Sequence, residues 1–355
     1  MSGQASLFES EPDAGDPAQP TTAVASAGRA PAVPAAGTVG QLGGAPVSAE
    51  CRALADGLQV RWGGRLHLGT SSWHFPGWTG LVYDRAAPQA WLSRHGLGAY
   101  ARHPLLRTVS LDRTFYRPAS AAALATLAAQ VPAGFRFVVK APALVTDASV
   151  RVAGAGRPLQ ANPVFLDPDT ALAAAVQPAA EGLGEAFGVL VFQLSPLPAP
   201  LLQDERSLHQ RLERLWSAVV PSLPAGVIAG LEVRDAALLT PRLAAHLKAH
   251  GARYVLGLHD RMPDAQAQLG MLRATWPGDF VCRWNLQRGL AYTQAYERFA
   301  PFDRLQAPDP ATRAAVARVA AATLDAGYRA FVTVNNKAEG SAPLSVVELA
   351  RALAA

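Results

Sequence analysis

The chain has 355 residues, of which 50% are hydrophobic and 17% charged, enough for one large core or two ordinary ones. Its two cysteines, Cys51 and Cys282, stand far apart and exclude a disulfide framework. No run approaches the roughly 18–20 apolar residues of a membrane span, and the acid-bearing start (Glu9, Glu11, Asp13, Asp16) lacks the basic and apolar regions of a signal peptide, so the expected compartment is the cytoplasm. Net charge is +5 but uneven: residues 1–50 hold one basic and five acidic groups, residues 51–160 thirteen and four, and the rest balance. The +9 block reads either as a patch that attracts nucleic acid or a phosphorylated ligand, or as scattered surface arginine.

Residues 1–50 are mostly Ala, Gly, Pro, Ser and Thr. Such a segment buries too little apolar area to offset its ordering entropy, and a disordered tail is expected there, with one domain over 51–355. Short β-rich runs then alternate with Ala/Leu-rich helical stretches. Strands are expected at Arg65–Thr70, Arg107–Leu111, Phe135–Ala141, Gly188–Leu194, Val227–Val233, Arg253–Leu258, Asp279–Trp284 and Ala330–Asn335. Helices are expected at Ser120–Gln130, Asp169–Leu183, Glu205–Val219, Pro241–His250, Pro310–Ala326 and Pro343–Ala354. Ser120, Asp169, Thr240-Pro241 and Asp309-Pro310 supply starts, and Gly251 and Gly327 supply stops.

Eight strands alternating with helices over about 290 residues fit a closed (β/α)₈ barrel of the TIM type. A doubly wound open sheet shows the same alternation, but no Gly-x-Gly-x-x-Gly follows the first strand. The stretch from Pro142 to Pro168 reads as a long loop inserted after the third strand.

In such barrels polar residues at the strand C-termini form the site, and here nearly every strand ends in them. Ser71-Ser72-Trp73-His74 and Trp78 follow the first strand, and Asp112-Arg113-Thr114-Phe115-Tyr116 the second. Lys140, Gln193, Glu232 with Arg234, His259-Asp260, Arg283 with Asn285, and Asn335-Asn336 end the others in turn. Residues two apart share a face, so Glu232 joins Arg234 and Arg283 joins Asn285. A Glu inside an apolar strand is either paired, with Arg283 or Lys140, or shifted upward for catalysis. Lys140 is open between a Schiff-base amine, a phosphate binder and the partner of Glu232.

Trp73, Trp78, Phe115 and Tyr116 read either as a stacking floor for a base or sugar or as rim packing. By strand alternation Cys282 faces outward, beneath a helix, as an inert thiol. His259, Asp260 and Glu232 offer donors, but no metal-ligand spacing is present, and neither a Walker loop nor a nucleophile elbow names a cofactor or a reaction.

The motif Gly69-Thr70-Ser71-Ser72-Trp73, with Trp78, Gly80 and Tyr83, resembles the opening of the YecE-like family, a bacterial domain of unknown function. Thr114-Phe115-Tyr116-Arg117-Pro118 and Phe137-Val138-Val139-Lys140-Ala141-Pro142 are similar to that family's next landmarks. Phe192-Gln193-Leu194, Glu232-Val233-Arg234 and Asn335-Asn336 follow in order. The resemblance spans about residues 65–350 and implies a TIM-type barrel with a site at these residues, but no reaction. Ser110 and Asp112 stand where the family usually has Glu and Asn, and Arg283-Trp284-Asn285 where it reads Arg-x-His-Gly, so any role of that His is lost or reassigned.

The leading expectation is an enzyme using acid–base or electrostatic catalysis on a phosphate-bearing or sugar-like substrate. Glu232 and Lys140 would be catalytic, and Arg234 and Arg283, with Lys140, would bind the anion. Gln193, Asn285, Asn335 and Asn336 would orient the substrate against Trp73, Trp78 and Tyr116. The alternatives are a non-catalytic nucleic-acid or nucleotide binder, and a metal-dependent hydrolase or nuclease. Gln4-Ala5-Ser6-Leu7-Phe8 also resembles the pentapeptide by which bacterial replication and repair proteins dock on the sliding clamp. Gln4, Leu7 and Phe8 are the anchors of that reading, which would tether the domain near DNA.

Overall fold

The computed structural model describes residues 42–151 and 159–355; the Gln4, Leu7 and Phe8 segment lies outside them. Among the described residues eight parallel strands close into one barrel: β1 (Leu66–Thr70), β2 (Thr108–Leu111), β3 (Arg136–Lys140), β4 (Phe187–Gln193), β5 (Ile228–Glu232), β6 (Arg253–Leu258), β7 (Phe280–Trp284) and β8 (Ala330–Val334). Each strand pairs with its sequence neighbours and β8 closes on β1, with Leu66 to Thr70 matched to Ala330 to Val334. Every expected strand is present, with its ends displaced by at most one residue. No helix among the described residues is long and apolar enough to cross a membrane.

The helices lie where the apolar period of 3.6 places them, and their starts are chemical. Ser120, Thr240 and Asp309 accept hydrogen bonds from the backbone N–H groups of Ala123, Leu243 and Thr312. At Pro168–Ala171 the cap is Asp167 rather than Asp169, because Pro168 needs no partner in the first turn and Asp167 reaches the Thr170 N–H at 2.9 Å. Gly251 and Gly327 take φ of +70° and +89° just beyond two helices, a conformation that side-chain-bearing residues avoid.

Two stretches differ from expectation. Residues 42–50, read as tail, belong to the packed domain: Leu42 and Ala45 are buried, and Ser48 caps a helix over Ala49–Trp62. Alanine-rich composition hid this, because the segment is anchored by few residues, Leu42 and Ala45, and by the helix that Ser48 begins. The insertion after β3 has structure as well, with a turn of helix at Ala143–Thr146 and an antiparallel ribbon of Ser149–Arg151 with Leu159–Ala161. Asn162 ties it together by donating to the carbonyls of Leu144 and Asp147, both at 2.8 Å.

Two cores result from the alternation of side chains along each strand. The larger lies between sheet and helices, and includes Cys282, Trp216 and Trp284. The smaller fills the barrel lumen with Val138, Val189, Val191, Ile228, Val255, Val281 and Phe331. At the N-terminal end of the lumen the His67 ring stacks on Phe331 with centroids 4.3 Å apart. Gly69 lets β1 approach β2: a Cβ there would stand 1.8 Å from the Thr108 carbonyl oxygen. Gly69→Ala is therefore expected to lower stability by roughly 3 kcal/mol or more in denaturant unfolding, since the obstacle is backbone in the closing register; an unchanged midpoint would show that the β1–β2 contact is looser than described.

Candidate functional site

Toward the C-terminal ends of the strands the lumen turns from apolar to charged. Lys140 follows Val138 inward on β3, Gln193 follows Val191 on β4, Glu232 follows Ile228 on β5, and Arg283 follows Val281 on β7. The sequence period of two thus delivers four polar groups to one layer. A burial this deep is stable only if each charge is met by another and each donor by an acceptor.

Glu232 satisfies that condition. It is 0% exposed; Oε1 lies 2.8 Å from Arg234 Nη2 and accepts from Asn285 Nδ2 at 3.2 Å, while Oε2 pairs with Arg283 Nη1. The other fork of Arg283 donates to Asp112 Oδ1 at 2.5 Å, and Ser110 Oγ holds that same oxygen at 2.6 Å. Gln193 Oε1 accepts from Arg234 Nη2 at 2.7 Å and from Arg283 Nη1 at 3.4 Å. Gly257 on β6 makes room, for a Cβ there would come 3.1 Å from the Glu232 side chain. Burial by itself would raise the Glu232 pKa, but Arg234 and Arg283 outweigh it and hold the carboxyl at about 2. Burial likewise works against the Arg283 charge, and Asp112 and Glu232 reverse the balance, so its pKa is raised.

Lys140 has the opposite environment. Its side chain is buried, and among the described residues its amine makes no hydrogen bond and no ion pair. Its contact is the face of Phe115, 3.6 Å from the amine to the ring centroid. Thr114 fixes that ring, because its hydroxyl lies 2.6 Å from the Leu111 carbonyl and 2.5 Å from that of Lys140, which joins the ends of β2 and β3. Loss of water lowers the Lys140 pKa, the Arg283 charge lowers it further, and Asp112 opposes them; the result is about 7 against an ordinary 10.5.

The residues expected at the site divide into three groups. Glu232, Arg234, Arg283, Gln193 and Asn285 form one network, and Lys140 stands beside it without touching Glu232. Asn335 sits at the same end, donating from Nδ2 to Ser71 Oγ at 2.7 Å and accepting from the Lys337 N–H. Tyr116, 56% exposed, stands at the edge of the mouth with its ring edge-on to Phe115.

Trp73, Trp78 and Asn336 are the corrections. Both indoles are buried, with Trp73 Nε1 donating to the Leu92 carbonyl and Trp78 Nε1 to Asn336 Oδ1, each at 3.1 Å. Asn336 Oδ1 also accepts from the Ala342 N–H at 2.8 Å, so these three side chains pin loops and present no stacking face. Apolar bodies with one satisfied N–H are core chemistry, and the rim-packing reading holds for them.

Asp112, Ser110 and Thr114, noted in the sequence at the end of the second strand but given no role there, are also members of the site. The parity argument used on β5 and β7 applies equally to β2, where 108, 110 and 112 share the inward face with Val138 and Lys140 through the pairing of Ser110 with Val138. Asn285 donates to Glu232 where a family His is expected, which reassigns that position to the carboxylate network. Among the described residues no group of three or more His, Cys, Asp or Glu is gathered as a metal site.

The family described as "Protein of unknown function DUF72" matches residues 67–355. A DUF72 family protein from Enterococcus faecalis superposes with a TM-score of 0.53 at 15% identity, over 81% of this chain and 95% of that one. One from Thermotoga maritima gives 0.52 at 17% identity, over 81% and 98%. No curated protein matches.

Glu232→Gln is expected to destabilise the domain by about 3–5 kcal/mol at pH 7, because it leaves two buried guanidiniums short of a partner. Glu232 has a folded pKa near 2, below its ordinary 4.5, so its stabilisation is present above pH 4.5 and is lost as pH falls toward 2. Chemical denaturation of both proteins from pH 7 to 3 checks this: the gap should be full at pH 7 and narrow below 4.5. A small gap, constant with pH, would remove the structural role.

Proposed function

The chain belongs to the DUF72 family, the YecE-like barrels, and from its own geometry we propose that it is an enzyme whose proton-transfer group is Lys140, acting on a small, oxygen-rich anionic substrate of the phosphate-bearing or sugar-like class. The observation that carries this reading is an amine at the mouth of the barrel, stripped of water, with no carboxylate in contact and with a pKa of about 7. A group that is half neutral near pH 7 both takes and returns a proton at little cost, which is the condition for efficient general acid–base catalysis. Ion-paired lysines do not meet it.

Glu232 has a different part in this reading from that of base. A carboxyl held near pKa 2 keeps its charge and releases its two arginines from no contact. It fixes Arg283 and Arg234 in place, and their charge both depresses the Lys140 pKa and favours negative charge on a substrate above them. With Glu232 and Asp112 set against Arg234 and Arg283, the protonated Lys140 is the surplus charge of the cluster. The nucleic-acid alternative loses the two indoles of its stacking floor, since Trp73 and Trp78 are buried, and keeps Tyr116 at the edge of the mouth.

Lys140, Lys248 and Lys337 are the chain's three lysines, so site-resolved labelling is practicable. Competitive acetylation read by peptide mass spectrometry should give Lys140 half-maximal reactivity near pH 7; protection up to pH 9 would mean an amine held charged, and would sink the proposal. Exchange of acidic C–H protons into deuterated buffer, followed by NMR over sugar phosphates and sugar acids, should be lost in Lys140→Met and in Lys140→Arg. The stability sign is opposite to that of Glu232: a depressed lysine pKa penalises the fold where the amine must be charged, so stability rises between pH 7 and about 10. Lys140→Met should therefore be more stable than the parent at pH 7, with the difference fading toward pH 10.

A further inference from the structure

Lys140 sits in a seat made by the end of β2. Leu111 is matched to Val139, so Asp112 comes abreast of Lys140 one step further along the same pairing, and Arg283 draws the Asp112 carboxylate into the lumen. Asp112 Oδ1 is taken by Arg283 and Ser110, and among the described residues nothing is bonded to Oδ2. Phe115 belongs to neither apolar core; its ring is given to the Lys140 amine on one face and packs edge-on with Tyr116 at the open mouth.

An ammonium is poorly matched to this seat. It has three N–H donors and, among the described residues, no acceptor, and the ring face is its one favourable contact. A protonated imine on the same nitrogen keeps a single N–H and spreads its charge over nitrogen and carbon. It therefore loses less on leaving water and still lies against the ring. A seat that excludes water also favours condensation, because water is the product. Near pH 7 a large share of the amine is neutral and has the lone pair that attack requires. Lys248 has a different setting, exposed and donating to the Trp276 carbonyl at 2.7 Å.

We infer that Lys140 forms a covalent imine with its substrate, and that this substrate is an open-chain aldehyde or ketone bearing an anionic group, with Asp112 as the proton carrier. The inference rests on Lys140 being the reacting group of the proposed enzyme, and it narrows the phosphate-bearing or sugar-like class to members with a free carbonyl. The step balances without a co-reactant. The ammonium passes a proton to Asp112; the freed lone pair forms the C–N bond and the C=O π pair moves to oxygen. Asp112 protonates that oxygen, then takes a second proton from nitrogen, which leaves the neutral carbinolamine. It delivers this proton to the hydroxyl, the C–O bond breaks, water departs and the nitrogen lone pair closes C=N. Ammonium and carbonyl have become iminium and water. The iminium withdraws electrons from the adjacent carbon and so acidifies the C–H bonds there.

Reductive trapping on the full chain tests this. Pyruvate and dihydroxyacetone phosphate, each with sodium cyanoborohydride at pH 7, are compared with acetone and dihydroxyacetone as uncharged counterparts, and adducts are mapped by peptide mass spectrometry. For at least one anionic carbonyl a secondary amine is expected on Lys140, roughly tenfold or more above the same adduct on Lys248 and above its uncharged counterpart. Asp112→Asn should slow trapping roughly a hundredfold; an unchanged rate would return Asp112 to a purely structural part. If that variant does not fold, the parent comparison decides alone. No adduct, or adducts spread evenly over Lys140 and Lys248, would overturn the imine. C–H exchange that requires Lys140 but yields no trapped adduct would overturn it as well, and would leave proton transfer by Lys140 standing. Absence of both exchange and adduct would remove both readings.

Discussion

Glu232 and Arg283 face each other inside a barrel whose interior excludes water, and most of what is distinctive about the C-terminal mouth follows from satisfying that one pair. A carboxylate and a guanidinium in such a place are each expensive alone, and their attraction offsets the loss of hydration only when the remaining lone pairs and protons are also met. Here Arg234, Asn285, Gln193, Asp112 and Ser110 meet them, and they come from four further places along the chain. Gly257 is part of the same solution, because a side chain there would crowd the carboxylate at 3.1 Å. The network is thus a long-range lock assembled from β2, β4, β5 and β7 and the residues just beyond β5 and β7.

That lock also defines what its neighbour can be. Lys140 approaches a cluster in which the negative charges are already spent on arginines, and it is seated on an aromatic face rather than a carboxylate. The Thr114-Phe115 pair acts on it indirectly, by closing β2 onto β3 and setting the ring in place. Two ionisable groups a few residues from the same strand ends are thereby driven in opposite directions, Glu232 deeper into its charged form and Lys140 toward its neutral one. Environment, and not residue type, assigns their roles.

The fold was legible in the sequence because barrel strands are governed by local rules: short β-branched runs, helix caps and terminal glycines sit within a few residues of the elements they delimit. The site was legible by half. Strand parity brought Glu232, Arg234, Arg283, Gln193 and Lys140 to one layer, but parity says nothing of which acid meets which base. Pairing across the lumen joins residues as distant as Asp112 and Arg283, and no period in the chain encodes it. Trp73 and Trp78 misled for a related reason: an aromatic just beyond a strand end looks alike whether its N–H faces a ligand or, as with Trp78 and Asn336, a side chain 258 positions away. The ordered start at Leu42 was hidden by composition, since a few anchoring residues among alanines do not alter an average.

The apolar belt across the middle of the lumen has a consequence of its own. It separates the charged layer at the C-terminal mouth from His67 and Arg136 at the strand starts by valine, isoleucine and phenylalanine side chains that hold no titratable group. Such a belt is a barrier to protons rather than to fields. Protons cannot be relayed through it, and the groups at one end must exchange with bulk solvent through their own opening. The fold therefore behaves as two back-to-back cups sharing one wall, each trading protons with the solvent on its own side.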